Sequence, residues 1–248
     1  MDPLLIYTKT IKLDATQVDA FGRMRPSALL EITQEAAGEH ANLLGVGRDA
    51  LGSHGLFWAI VRQVVHIHRM PVLGQTVHVT TWPGPAGRTA FPRYVRATTP
   101  EGEALFEAVA LWLFMNRETR AMVLPAASGV QVPGQLLGME MPLPTGIAPR
   151  QYDNRELRRV RFSELDCNGH LSNTKYANWL EDLLPGSYHR DHTLERLHIC
   201  YLNEALEGQD IALHWTMEDG SLALEATRDL EDGKHRVFAL RAQYKTLS

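Results

Sequence analysis

The chain carries an internal repeat. Thr16-Gln17-Val18-Asp19-Ala20-Phe21-Gly22-Arg23 lies on Ser163-Glu164-Leu165-Asp166-Cys167-Asn168-Gly169-His170, and the Gly74-Gln75 turn lies on Gly208-Gln209 at a shorter offset. The first copy is therefore the longer between its helix and its second strand. Repetition restricts the fold: each copy must bury the same kind of apolar face, so the chain folds as two units of one plan. In the first, Leu4 to Leu13 reads as a strand and Gln17 to Arg25 as a loop, with Pro26 at a helix start. Leu29, Ile32, Ala36, His40 and Leu43 recur at helical spacing until Gly45 and Gly47. Strand-like runs follow at Phe57 to His68, Thr76 to Trp82, Arg88 to Thr98 and Ala104 to Asn116.

The second copy keeps this order: strand Arg155 to Ser163, helix Thr174 to Leu184, then strands near Leu197 to Glu204, Gln209 to Met217, Leu222 to Asp229 and His235 to Lys245. One helix followed by antiparallel strands is an α+β pattern in which sheet and helix cover each other. Pro125 to Pro149 is rich in Pro and Gly without a sustained period, which marks a connection. The expected division is a first unit over residues 1–130, a linker over 131–149 and a second unit over 150–248.

Composition narrows the function. The formal charge of -4 and the lack of a Lys/Arg block argue against nucleic acid. No apolar run approaches the roughly 20 residues that span a bilayer, and the N-terminus has no basic start followed by an apolar core, so the expected location is cytoplasmic. Cys167 and Cys200 form no C-x-x-C pair. His66-x-His68 and the loop pair His189-x-x-His192 lack a third ligand at motif spacing, so neither a metal nor a cofactor is expected.

The polar chemistry concentrates in Arg161 to Leu184. Asp166-Cys167-Asn168-Gly169-His170 is a turn cluster, and Ser172 and Asn173 offer N-cap side chains before Tyr176, Ala177, Leu180, Leu183 and Leu184 recur at helical spacing. Pro185-Gly186 stops that helix. Asp, Asn and His thus alternate in a loop facing the positive end of a helix, a site suited to acyl chemistry. Asp and Asn in such a turn also serve capping alone. The first copy retains Asp19 but has Phe21 for Asn168, Arg23 for His170 and Met70 opposite Glu204. One active site per chain follows, built mainly from the second half.

The run D-x-N-G-H-x-x-N-x-x-Y-x-x-W, with Tyr201-Leu202-Asn203-Glu204 and Trp58-Ala59-Ile60-Val61-Arg62, resembles the bacterial-type acyl-ACP thioesterases from about Leu5 to Tyr244. That resemblance implies a tandem double hotdog fold, each antiparallel sheet wrapping a long central helix and the sheets joined edge to edge. It implies catalytic roles for Asp166, Asn168, His170 and Glu204, and an acyl pocket drawn largely from the first half. Some family members carry a cysteine after the glutamate; here Ala205 excludes it as a nucleophile.

The remaining residues suit a water attack. Glu204 is the expected base, with His170 and Asp166 orienting or sharing the proton, and which of the three takes it stays open. Asn168 and a backbone N–H near Gly169 are expected to stabilise the oxyanion. Phe21, Phe57 and Trp58 are the candidate acyl-binding side chains, with core packing as the competing role for the last two. The expected partner is acyl carrier protein bearing a phosphopantetheine-linked acyl chain, with Arg155, Arg159 and Arg161 as candidate contacts, and a homodimer is compatible with all of this. Acyl-CoA hydrolysis on the same fold and a non-catalytic acyl-carrier binding module are the alternatives.

Overall fold

The computed structural model describes residues 3–230 and 233–247. The chain divides into two compact units, Met1–Pro144 and Thr145–Ser248. In the first, β1 (Tyr7–Lys12) leads to helix α1 (Pro26–Leu43), the short α2 (Arg48–Ser53), and strands β2 (Leu56–Ile67), β3 (Thr76–Pro83), β4 (Phe91–Thr98), β5 (Ala104–Asn116) and β6 (Met122–Val123). The strands pair antiparallel in the order β1-β3-β4-β5-β2, with β6 on β5.

Helix α1 starts at Pro26, whose fixed φ suits the first helical position. It ends in a Schellman arrangement: Val46 N–H donates to Ala41 O and Gly45 N–H to Asn42 O, with Gly45 at φ 70°. Leu29, Leu30, Ile32 and Ala36 on its inner face are buried against the sheet, where Val77, Val79 and Phe106 are fully enclosed. Two polar ties fix its position, Gln63 Nε2 to Thr33 Oγ1 at 3.3 Å and Arg93 Nη2 to the Ala37 carbonyl at 2.9 Å. Leu43, expected on the buried stripe, is exposed because it is the last helical residue and the stripe runs off the packed surface there.

The segment read as a connection packs on the first unit. Its residues up to Pro144 belong to the first unit, where Leu137 and Met141 cover the outer-face cluster of Val64, Trp82, Tyr94 and Val109. Glu140 accepts from the Leu137 N–H, from Gly138 N–H at 3.0 Å and from Trp82 Nε1 at 3.3 Å, and Gln135 N–H donates to Pro83 O. Gly134 passes so close to Gly84 that a side chain there would overlap the Gly84 carbonyl. Outside a single 3-10 turn at Pro125–Ala127, this stretch is ordered by contacts rather than by periodic structure.

The second unit contains β7 (Asn154–Arg159), α3 (Lys175–Asp182), α4 (Gly186–Asp191), β8 (His192–Tyr201), β9 (Asp210–Glu218), β10 (Ser221–Leu230) and β11 (Gly233–Thr246), with sheet order β8-β11-β10-β9-β7. Tyr176, Ala177, Trp179 and Leu180 bury one face of α3, and Tyr176 stacks on Phe238 of β11 at 4.1 Å. Pro185 ends this helix as expected but also starts α4, whose first turn it precedes; proline is as good a start as a stop. His189 therefore sits in α4 and His192 at its C-cap, as the first residue of β8, rather than in a loop, with His189 Nε2 at 2.9 Å from Glu181 O and His192 stacked on Tyr188 at 4.0 Å. Helix α3 has no side-chain N-cap: Thr174 precedes it, and Ser172 Oγ instead meets Thr174 Oγ1 at 3.1 Å. No helix among the described residues is long and apolar enough to cross a membrane.

Candidate active site

The turn from Asp166 to His170 is closed by its own backbone. Asp166 N–H donates to His170 O at 2.7 Å and Gly169 N–H to Asp166 O at 3.0 Å, while Gly169 takes φ 79°, a left-handed conformation that favours glycine. The Asp166 carboxylate then serves the turn: Oδ1 accepts from Asn168 N–H at 2.8 Å and from His170 N–H at 3.3 Å. This is an Asx turn, in which a side-chain oxygen replaces a backbone acceptor. Asp166 acts first as the anchor that presents Asn168 and His170.

Glu204 arrives from the end of β8. Leu202 and Asn203 N–H both donate to Val237 O, a bulge that ends strand pairing and turns the next residue out of the ladder, and the Asn203 amide holds the Arg236 carbonyl at 2.8 Å. Leu171 N–H to Ala205 O at 2.8 Å and the His170–Leu206 bridge join this segment to the turn. His170 Nε2 consequently lies 3.3 Å from Glu204 Oε2. Glu204 is exposed and the His170 side chain mostly covered, so the pair meets solvent from one side. An imidazole and a carboxylate at that separation can pass a proton between them and polarise a water.

The N–H of Gly169 itself is engaged by Asp166 O. The Asn168 side-chain amide is exposed and donates to Asp166 Oδ2 at 3.4 Å. Beneath the site lies Tyr176. Burial raises its hydroxyl pKa, with the negative charges of Asp166 and Glu204 adding to the rise and Arg228 opposing it, so it stays a neutral phenol. Trp179 donates Nε1–H to Glu164 Oε1 at 2.7 Å, and Glu164 Oε2 accepts from Arg161 N–H at 2.8 Å. Glu164 is a positioning residue that the sequence reading missed; its signal was an acidic side chain three residues after Arg161, the spacing of a capping box.

A cavity of about 240 Å³ opens in the first unit between the C-terminal half of α1 and strands β2, β4 and β5, lined by Ala37, Ala41, Trp58, Phe91 and Trp112 among others. Trp58 is held there by Nε1 donating to Val46 O at 2.8 Å and by edge contact with Phe91 at 5.0 Å. Phe57, on the opposite side of β2, lies outside the lining and packs under the Arg120 guanidinium at 4.8 Å; strand alternation sends neighbours to opposite faces. Phe21 is also outside it, exposed, with Arg23 4.9 Å over its ring. Arg93, also in the lining, is 8% exposed, and its pKa is pushed down to about 9 by burial.

The two halves of the chain match the acyl-ACP thioesterase N-terminal domain over residues 5–125 and the acyl-ACP thioesterase C-terminal domain over residues 147–244. The chain belongs to the acyl-ACP thioesterase family. Its relatives include the chloroplastic palmitoyl-acyl carrier protein thioesterase of Gossypium hirsutum, 26% identical over 84% of this chain and 54% of that protein. The chain spans about half the length of the plant family members it matches first. Among solved structures it is similar to an acyl-ACP thioesterase from Bacteroides thetaiotaomicron, with a TM-score of 0.82 and 21% identity covering 97% of this chain and 98% of that one. It is equally similar to the 12:0-ACP thioesterase from Umbellularia californica, at TM-score 0.81 and 22% identity over 98% of both. At those identities the likeness gives the fold, which is the α+β hotdog architecture of the family.

Proposed function

We propose that this chain hydrolyses fatty acyl-ACP to free fatty acid and acyl carrier protein by attack of water. The observation that carries the reading is the His170–Glu204 pair at 3.3 Å, presented by a turn that Asp166 holds closed. Glu204 accepts the proton of a water oriented against His170, and the water oxygen bonds to the thioester carbon. The Asn168 amide stabilises the oxyanion; collapse of the tetrahedral intermediate then expels phosphopantetheine sulfur as thiolate. A thiol of ordinary pKa, about 8.5, leaves without strong acid assistance, so one acid–base pair suffices. The thiol of Cys167 has no part in this sequence.

The apolar walls of the Trp58-lined cavity of the first unit suit an alkyl group. The acidic carrier protein meets Arg155 and Arg159, both exposed on the edge strand β7, while Arg161 lies beyond the strand at the start of a 3-10 turn. Release of free thiol from a ladder of acyl-ACP lengths, run beside matched acyl-CoA, tests the proposal. Turnover of acyl-ACP above acyl-CoA is expected. Faster turnover of acyl-CoA would reassign the substrate, and binding without thiol release would make the chain a carrier-binding module.

A further inference from the structure

The bulge that turns Glu204 out of β8 has a counterpart in the first unit, where His68 and Arg69 N–H both donate to Leu105 O. Superposing these bulges by their register sets His66 on Cys200, His68 on Leu202 and Glu107 on Ala239: His66 pairs directly with Glu107 as Cys200 pairs with Ala239. In the second unit that place is apolar, with Cys200 and Ala239 packed against Ile147. The fold therefore does not require polar groups there. In the first unit it carries two imidazoles and a carboxylate, and the sequence reading, which found no third ligand at motif spacing, could not see Glu107 because it comes from the neighbouring strand.

The spacing of these groups is informative. His66 Nδ1 lies 3.8 Å and His68 Nε2 3.6 Å from the same oxygen, Oε1 of Glu107. Both separations exceed the roughly 2.7–3.2 Å of a hydrogen bond to oxygen. They approach the ~3.4 Å between two ligand atoms that each sit about 2.1 Å from a shared tetrahedral cation. One ligand atom from each residue falls within 4.8 Å of the others, and the ring centroids are 4.6 Å apart. The three side chains are partly exposed, leaving water access for the remaining coordination positions.

We propose that His66, His68 and Glu107 form a binding site for a divalent first-row transition cation of the zinc type. Two imidazole nitrogens with one carboxylate match the mixed N/O preference of zinc, whereas magnesium and calcium take oxygen ligands and copper(I) takes thiolates. The cation clips β2 to β5 at the end of their shared ladder. Arg96, directly opposite Glu107 on β4, is the nearby opposing charge; its Nη1 is drawn towards Met139 Sδ at 3.3 Å. The site contains none of the residues proposed for hydrolysis.

The test uses the untagged full chain freed of metal by chelation. Isothermal titration with zinc chloride is expected to show one equivalent bound per chain, and cobalt(II) at the same site to give the visible absorption of a low-coordinate ion. His66→Ala, His68→Ala and Glu107→Ala should each weaken zinc at least tenfold and remove the cobalt bands. The exposed His54→Ala should change neither, and thiol release from acyl-ACP should be unaffected by any of the four. Zinc should also raise the melting temperature of the parent but not of the three site variants. Absence of zinc binding in the parent, or binding equally strong in the three site variants, overturns the proposal.

Discussion

The turns at Asp19–Arg23 and Asp166–His170 are nearly the same object. In each the Asp N–H donates at 2.7 Å to the carbonyl of the fifth residue, the Gly N–H donates at 3.0 Å to the Asp carbonyl, and Oδ1 takes the third residue's N–H at 2.8 Å. Each is then bridged to the segment after its bulge, Arg23 to Val72 and His170 to Leu206. What differs is the side chains. Arg23 folds back on Asp19, with Nη2 3.2 Å from Oδ2, and over Phe21, whereas His170 reaches out to Glu204. A carboxylate kept where Phe21 and Arg23 stand in place of Asn168 and His170 is a structural carboxylate, so the comparison separates what holds the turn from what the proposed chemistry uses.

The comparison is broken most sharply at Glu204. Glu204→Gln keeps size and removes the proton acceptor, so kcat should fall by about 100-fold or more with KM little changed, while Met70→Leu, its positional counterpart, leaves kcat within a factor of about two. The reverse outcome in steady-state kinetics would put the active site in the wrong half. His170→Ala and Asn168→Ala should each lose on the order of 100-fold in turnover with the circular dichroism spectrum retained.

Asp19→Ala and Asp166→Ala sharpen it. Both free the same turn N–H groups, so denaturant unfolding should show comparable losses, about 1 kcal/mol for Asp19. Only Asp166→Ala should also lower kcat, by roughly tenfold, because His170 and Asn168 lose their seat. Equal kinetic losses in the two variants would mean that the first turn, too, supports catalysis. Smaller still is Cys167→Ala, expected to keep most activity; an acyl adduct on Cys167 in mass spectra of quenched enzyme would contradict it.

The smallest effect is on stability against pH. Burial depresses the pKa of His40 in α1, with Arg93 adding to the shift and the bond to Leu4 O opposing it. A histidine depressed in the folded state contributes stability that is complete above its unfolded pKa of about 6.5 and is lost as pH falls through the folded value. The melting temperature should therefore drop on acidification below pH ~6.5, and His40→Gln should flatten part of that drop. His214, depressed by burial in β9, adds the same trend from the second unit.

Much of this architecture was legible because strands and helices write their period into the sequence. The expected strands Thr76 to Trp82 and Ala104 to Asn116 lie within a residue of β3 and β5, and Pro26 and Gly45 mark the ends of α1 as turn chemistry requires. What was not legible depends on contacts distant in sequence. Glu204 was read inside a strand, yet β8 ends at Tyr201, since only the shared bond to Val237 O reveals the bulge. Which N–H groups of the 166–170 turn are engaged, as that of Gly169 is by Asp166 O, cannot be told before the turn is built. Glu107 carried no motif at all: its relation to His66 is a register, and register is absent from a linear string.

The segment laid over the outer face of the first sheet bears on how the molecule can be taken apart. Composition invites a cut near residue 130, at the start of what reads as a connection. Such a cut would lift Leu137 and Met141 away from Val64, Trp82, Tyr94 and Val109 and leave a contiguous greasy face in water. A first half severed there would self-associate, and its clumping would be mistaken for an inability to fold alone. Carried to Pro144, the same half keeps its cover.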